Sequence, residues 1–578
     1  MRKKNVMRFR PALILWSLVM ALVLVVAACG GDDDEDKATA PPTAPATATR
    51  PAAVATTAPV APTATPAPAI KRGGIFKTQD VGIPHLDPTI VDVSGQANFL
   101  DVIYDGLLTM AGKSYNDFDV TGQLAESWQV SADSTEYTFR LRDGVKWQNV
   151  APVNGRAFTS ADVAFIIDWS LANKPGKTYG TYKTIVSHRE PDARTIVIKT
   201  ATPQASFLPR MAGPEVKILP RELLEEKEGT VTKSQNLAIG TGPFQFDGLE
   251  RGVSAKAKAN PSYYKRGADG QPLPYLVGWE SYTIRDYAAR LASLKTRQVD
   301  RWYWPGGING PDAKDIQRNN PEWKVEQDLF VVSPNIAADV RLAPFNDIRA
   351  RRALALAINR KQIIDVRFQG DAVLSGFVNP ARKEWSWDQE TIAKKFPYDP
   401  EQAKSLLAQS GYKGEEITFL HYTGASAGFD PQTAEIVAEM MRQVGFKVKL
   451  EVVPDYAAMS ARMNAGRAPV NLNANYGHTI EDQLYQWYHT TSPTNWVGVK
   501  DTALDALLDK EQSTVDPAAR SKVVLQILDH LYDNMYGSAG VTPLAFRADA
   551  RWVKGLQQNR VAGNYHRELV WIDPSLRP

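Results

Sequence analysis

The chain has 578 residues, 43% hydrophobic and 23% charged, which excludes a disordered protein and asks for two or three globular units rather than one core. Its formal charge of +3 rests on Arg2, Lys3, Lys4, Arg8 and Arg10 at the extreme N-terminus; without them about 62 basic side chains face 64 acidic ones. No nucleic-acid partner is implied.

Those five cations precede an apolar run from Ala12 to Val26, then Ala27, Ala28 and Cys29, the only cysteine. The run is shorter than the roughly 20 residues a bilayer-spanning helix needs, so residues 1–28 read as a secretory signal. The acidic patch Asp32 to Asp36 and an Ala/Pro/Thr-rich stretch follow, making 29–70 an extended tether with a reach on the order of 100 Å at about 3.1 Å per residue. Ordered structure is expected to begin near Gly73 and Gly74. With no second cysteine, stability has to come from core size rather than disulfides.

Downstream, strand and helix signals alternate, which predicts an α/β class. Tyr137 to Leu141 alternates by twos. Thr159 and Asp162 form a capping-box pattern opening a helix that buries Val163, Ile166 and Ile167. Asp399, Pro400 and Gln402 open another, with Ala403, Leu406 and Leu407 apolar and Gly411 as its stop. Ile417 to Tyr422 reads as a strand. Asp430 and Pro431 then start a helix with Ala434, Val437, Met441 and Val444 inward; Gly445 closes it, and Phe446 to Val452 alternates as the next strand, completing a βαβ unit.

Several phrases carry a family likeness. They are Leu86-Asp87-Pro88, Ile103-Tyr104-Asp105-Gly106-Leu107-Leu108, Leu124-Ala125-Glu126-Ser127-Trp128, the stretch from Tyr137 to Trp147, and Phe158-Thr159-Ser160-Ala161-Asp162-Val163. Gly240-Thr241-Gly242-Pro243-Phe244, Pro344-Phe345-Asn346-Asp347 and Asp399-Pro400-Glu401-Gln402-Ala403 complete the set. In order and spacing the chain from about residue 73 resembles family 5 of the extracytoplasmic solute-binding proteins, the dipeptide, oligopeptide and nickel type that serves bacterial ABC importers. Val26-Ala27-Ala28-Cys29 resembles a lipobox, which implies a lipid on Cys29 and anchoring to the outer face of the cytoplasmic membrane.

The resemblance implies a bilobed clamp of the periplasmic-binding-protein type (type II, large cluster). Lobe one would span 71–332, with an inserted subdomain at about 95–215, and regain the chain at 540–578; lobe two would span 333–539. It further implies a monomer, permease subunits as partners, a peptide or other small polar solute held between the lobes, no cofactor and no catalytic step.

For the site, Trp302, Tyr303 and Trp304 lie where the family has a strand ending at the cleft, and either solute stacking or core packing would use such rings. Tyr104 has the same two readings. In peptide-binding members an Asp of an Ala-Asp-Tyr phrase pairs with the ligand's ammonium; here the phrase reads Ala474-Asn475-Tyr476, so Asn473, Asn475 and Tyr476 would offer neutral hydrogen bonds and Asp482 could stand in as the amine reader. Oligosaccharides stay open beside peptides. A nickel complex held by a single His such as His478 stays open too, although the seven His residues show no paired metal spacing.

Two readings of another kind compete. Gly424-Ala425-Ser426-Ala427-Gly428 is a literal G-x-S-x-G, with Asp455 and His530 following in order, so a secreted serine hydrolase using Ser426 is conceivable; but the helix opens at Asp430 and Pro431, too late for a nucleophile elbow. The other is a binding component that signals to a membrane sensor.

Overall fold

Four sheets of four strands organise the chain. The computed structural model describes residues 70–578 except 81, 91–97, 111–118, 174–176, 229–230, 303–306, 331–332, 423–430, 476–478 and 560–562. Cys29, the signal and nearly all of the tether therefore lie outside the described residues, as do Tyr303, Trp304, Ser426, Tyr476 and His478.

The first sheet runs Ile75–Asp80, Gly278–Thr283, Ser254–Ala259, Phe244–Glu250. Its first pair is parallel, Ile75 opposite Gly278 through Asp80 opposite Thr283, although some 200 residues separate them. A second, wholly antiparallel sheet takes the order Ala125–Val130, Glu136–Leu141, Thr195–Thr200, Ile185–Asp192. Against it lies the helix Ser160–Ala172, whose capping box is present, with Thr159 N donating to Asp162 Oδ2 at 2.9 Å; Val163, Ile166 and Ile167 are buried as their spacing requires.

The third sheet, Ser333–Ala338, Val470–Asn475, Ile417–Tyr422, Val448–Val453, contains the anticipated βαβ unit. Ile417 to Tyr422 pairs in parallel with Val448 to Val453, and the helix Pro431–Gln443 lies between them in sequence. The strand starts two residues later than its alternation suggests because Phe446 N donates to Met441 O at 3.1 Å, closing the helix around Gly445 (φ 105°). The helix Pro400–Gln409 is capped by Asp399, which accepts from Gln402 N at 2.9 Å, but the reciprocal half of the box is missing: Asp399 N donates to Leu356 O instead.

In the fourth sheet one strand, Gly540–Ala550, serves three neighbours, one of them Arg301–Trp302. Gly540 to Pro543 pairs with Ser375 to Ala372, and Leu544 to Ala550 pairs with Leu329 to Trp323. The change of partner falls beside Pro543, which has no amide hydrogen to give to a ladder.

The buried apolar residues divide along the same line. The largest cluster draws on Phe76 to Trp323 and again on Phe546 to Ile572, whereas the next three are built from residues between Ile336 and Val541. The architecture is α/β, with its buried apolar residues gathered in two groups along the chain. Among the described residues no helix is long and apolar enough to cross a membrane.

Candidate functional site

In the third sheet Ile417–Tyr422 has Val448–Val453 on one side and Val470–Asn475 on the other, all three parallel. The chain leaves the first strand to one side and then returns to its opposite side, so the connections diverge at the carboxyl ends of these strands. Open α/β sheets form ligand crevices at such switch points.

Aromatic side chains gather at that end. Tyr422 is the last residue of its strand, and Tyr456 opens the helix Tyr456–Asn464 just beyond Val453; Asp455 caps this helix, accepting from Ala458 N at 2.8 Å. The Tyr422 and Tyr456 rings lie 5.7 Å apart at 69°, Tyr456 and Trp496 6.4 Å apart at 71°, and Trp496 and Trp487 5.7 Å apart at 89°. Trp496 is fixed by its indole N–H, which donates to Asn464 Oδ1 at 2.6 Å. Tyr456 is 45% exposed, and a large ring held edge-on by its neighbours while presenting its own surface is suited to stacking on a solute. Sequence reasoning passed over Tyr456 and Trp496. The local signal was an aromatic residue placed directly after a strand and a capping Asp.

The residues singled out from sequence fare differently. Trp302 sits in a two-residue strand opposite Ala548 and has no exposed surface. Tyr287 packs edge-on against it at 5.3 Å, and the Arg290 guanidinium lies 5.2 Å from its ring centroid. Tyr104 is likewise wholly buried, and burial pushes its hydroxyl well above the usual tyrosine range. Of the two readings open to these rings, core packing is the one the structure displays, since stacking needs an exposed face.

Asn473 and Asn475 are placed by backbone register alone, opposite Asn335 and Ser333. Asp482 is placed in a helix cap. It occupies the third position of the helix Ile480–Tyr488 and closes a capping box with Thr479, whose amide donates to Oδ2 at 3.1 Å. Its Oδ1 accepts from Arg210 Nη2 at 2.7 Å and from Gln486 Nε2 at 3.0 Å. Both oxygens are engaged, which leaves little capacity for a ligand ammonium.

Ser426 lies outside the described residues, and the two residues named as its partners have contacts of their own. His530 Nε2 is 2.7 Å from Asp501 Oδ2, and Asp455 is committed to its helix cap. Among the described residues no group of three His, Cys, Asp or Glu could hold a metal.

A second polar place lies in the largest cluster. A cavity of about 20 Å3 is lined by Asp101, Asp105, Lys217, Lys265, Arg567 and Glu568, among others, enough for about one water and not for a solute. Burial pushes the Asp105 carboxyl up to about 6. Burial alone would raise Glu568 too, but Lys265, 2.8 Å away, and His566 outweigh it and hold that carboxyl at about 2.

The sequence profile of the bacterial extracellular solute-binding proteins, family 5 (middle region), matches residues 119–496. The chain is 26% identical over 482 residues to the di/tripeptide-binding protein 2 of Pseudomonas aeruginosa, covering 79% of this chain and 87% of the relative. It resembles the Helicobacter pylori periplasmic binding protein DppA, solved with the peptide STSA, at a TM-score of 0.73 and 22% identity over 87% of this chain and 98% of that one. The binding protein AgaA from A. tumefaciens R10, solved with agropinic acid, gives a TM-score of 0.72 and 25% identity over 86% and 99%.

Proposed function

Since the chain belongs to family 5 of the bacterial extracellular solute-binding proteins, we propose that it captures a peptide or other small polar solute between two lobes and delivers it to an ABC importer, without a catalytic step of its own. The lobes would be 71–332 together with 540–578, and 333–539. The observation that carries the reading is the aromatic row Tyr422, Tyr456, Trp496 at the carboxyl ends of the parallel strands, a surface suited to binding a solute.

Both ligand classes stay within the reading, because one relative is solved with a peptide and another with agropinic acid. The engagement of Asp482 by Arg210 and Thr479 favours a site that reads its ligand by stacking and neutral hydrogen bonds over one built around a free ammonium. Export by residues 1–28, a lipid on Cys29 and the tether to residue 70 would hold a monomer near its permease, outside the cytoplasmic membrane.

Native mass spectrometry of the purified protein, followed by calorimetry with di- and tripeptides, opine-like acids and oligosaccharides, tests this. A stoichiometric, reversible small-molecule complex is expected. A protein that binds no member of these classes and turns over an ester with covalent labelling of Ser426 would overturn it.

A further inference from the structure

Between Gln204 and Met211 the chain touches three helices of the 333–539 region. Ala205 N donates to Gln512 O at 2.8 Å, and Ser206 Oγ accepts from Arg520 Nη2 at 2.7 Å. Arg520 also donates to Glu511 Oε1 at 2.6 Å, on a carboxylate with no exposed surface. One turn on, Arg210 reaches Asp482 at 2.7 Å and Glu481 at 3.1 Å. The three side chains of this triad retain 16%, 13% and 9% of their surface, so solvent screens the contact far less than a surface ion pair.

Arg210 lies in the 71–332 region and its carboxylate partners in the 333–539 region, 272 residues separating Arg210 from Asp482. When the lobes part, Arg210, Glu481 and Asp482 are separated and regain water. When the lobes meet, three carboxylates and two guanidinium groups are buried together. Desolvation offsets most of what a complete pair gains, but a buried charge that has lost its partner is strongly unfavourable. Removing Arg210 therefore penalises the closed arrangement and leaves the open one untouched, which is the differential interaction that shifts such an equilibrium. Burial already pushes the Glu481 and Glu511 carboxyls up, Arg210 drawing the first back and Arg520 the second.

We propose that Arg210, with Glu481 and Asp482, is a clasp between the lobes: a positioning device that favours their closed arrangement and must part before solute is released. The clasp rests on the hinged reading above and adds a residue that acts on closure without touching the solute.

The test uses the full chain with Cys29→Ser and single spin labels at Val186→Cys and Val366→Cys, which are 59% and 64% exposed and lie on opposite sides of the crossings. Distance distributions are compared after exhaustive dialysis. Arg210→Met should move the closed-to-open ratio at least about tenfold toward the longer distance. Arg210→Lys should lie between it and the parent. Arg210→Met combined with Glu481→Gln and Asp482→Asn should recover only part of that shift, because no buried charge is then unpaired but the attraction across the clasp is gone. Distributions that stay at the parent's in Arg210→Met and also in Arg210→Glu overturn the clasp. Solute capture by native mass spectrometry keeps the two readings apart: capture with unmoved distances sinks the clasp alone, and moved distances without capture sink the solute-binding reading alone.

Discussion

Phe330 N donates to Pro543 O at 2.9 Å, joining the two segments on which the chain passes between its two groups of cores. The Phe330 carbonyl is held as well, by Asn379 Nδ2 at 3.0 Å, and Phe330 is buried. Asn379→Ala removes this hydrogen bond to a buried carbonyl and the one Asn379 Oδ1 accepts from Ala381 N at 3.0 Å, at a cost of about 1–3 kcal/mol. Urea unfolding should register a loss of this size, whereas Asn379→Asp, which keeps an oxygen where the carbonyl needs a donor, should cost at least as much. Unchanged midpoints for both would show that the crossing is not held there.

The cavity carboxylates should give opposite pH signatures. Asp105 binds its proton more tightly in the fold, so its favourable contribution is complete below about pH 4 and is lost as pH rises through about 6. Glu568 contributes above about pH 4.5 and loses its contribution as pH falls through about 2. Each amounts to about 3 kcal/mol. Thermal melts at pH 7 should find Asp105→Asn more stable than the parent and Glu568→Gln less stable, with the first difference fading toward pH 4 and the second toward pH 2. A loss of stability at pH 7 in both variants would contradict the assignment.

At the strand ends, Tyr456→Ala removes an exposed ring and little packing. Solute affinity should fall about tenfold, near 1.4 kcal/mol, with the melting temperature nearly unchanged. Trp496→Phe keeps the ring but loses the hydrogen bond to Asn464, and a smaller loss is expected. Calorimetry with the co-purified solute reads both; full affinity in Tyr456→Ala would move the site elsewhere.

Anchoring makes a separate prediction. A diacylated cysteine retains a protein stably, and a chain without the lipid has nothing comparable. Cys29→Ser should leave the precursor uncleaved at this position or release the protein from the membrane fraction. Fractionation that finds processed Cys29→Ser still membrane-bound would refute lipidation at Cys29.

What could be read from sequence was local. The Thr159–Asp162 box, the Asp399 cap and the strand Ile417 to Tyr422 each depend on neighbours within a few residues, and each stands where its pattern places it. Alternation showed that Trp302 and Trp304 share a side of the chain but not which side faces the core; that is decided by pairing with Ala548 and by packing against Tyr287. Asp482 looked available because its partner lies 272 residues earlier. Tyr456 gains its position from the order of strands in the sheet, which no window of sequence contains.

The strand shared between Ala372–Ser375 and Trp323–Leu329 also has a consequence for the order of assembly. The core that starts at Phe76 needs Phe546, Trp552, Val570 and Ile572, so the part of the chain made first is completed last. A ribosome delivers the residues for the clusters between Ile336 and Val541 before these. The N-terminal half must wait, partly open, for the residues from Phe546 onward, and a chain ending just before them would retain an assembled middle beside an unsealed beginning.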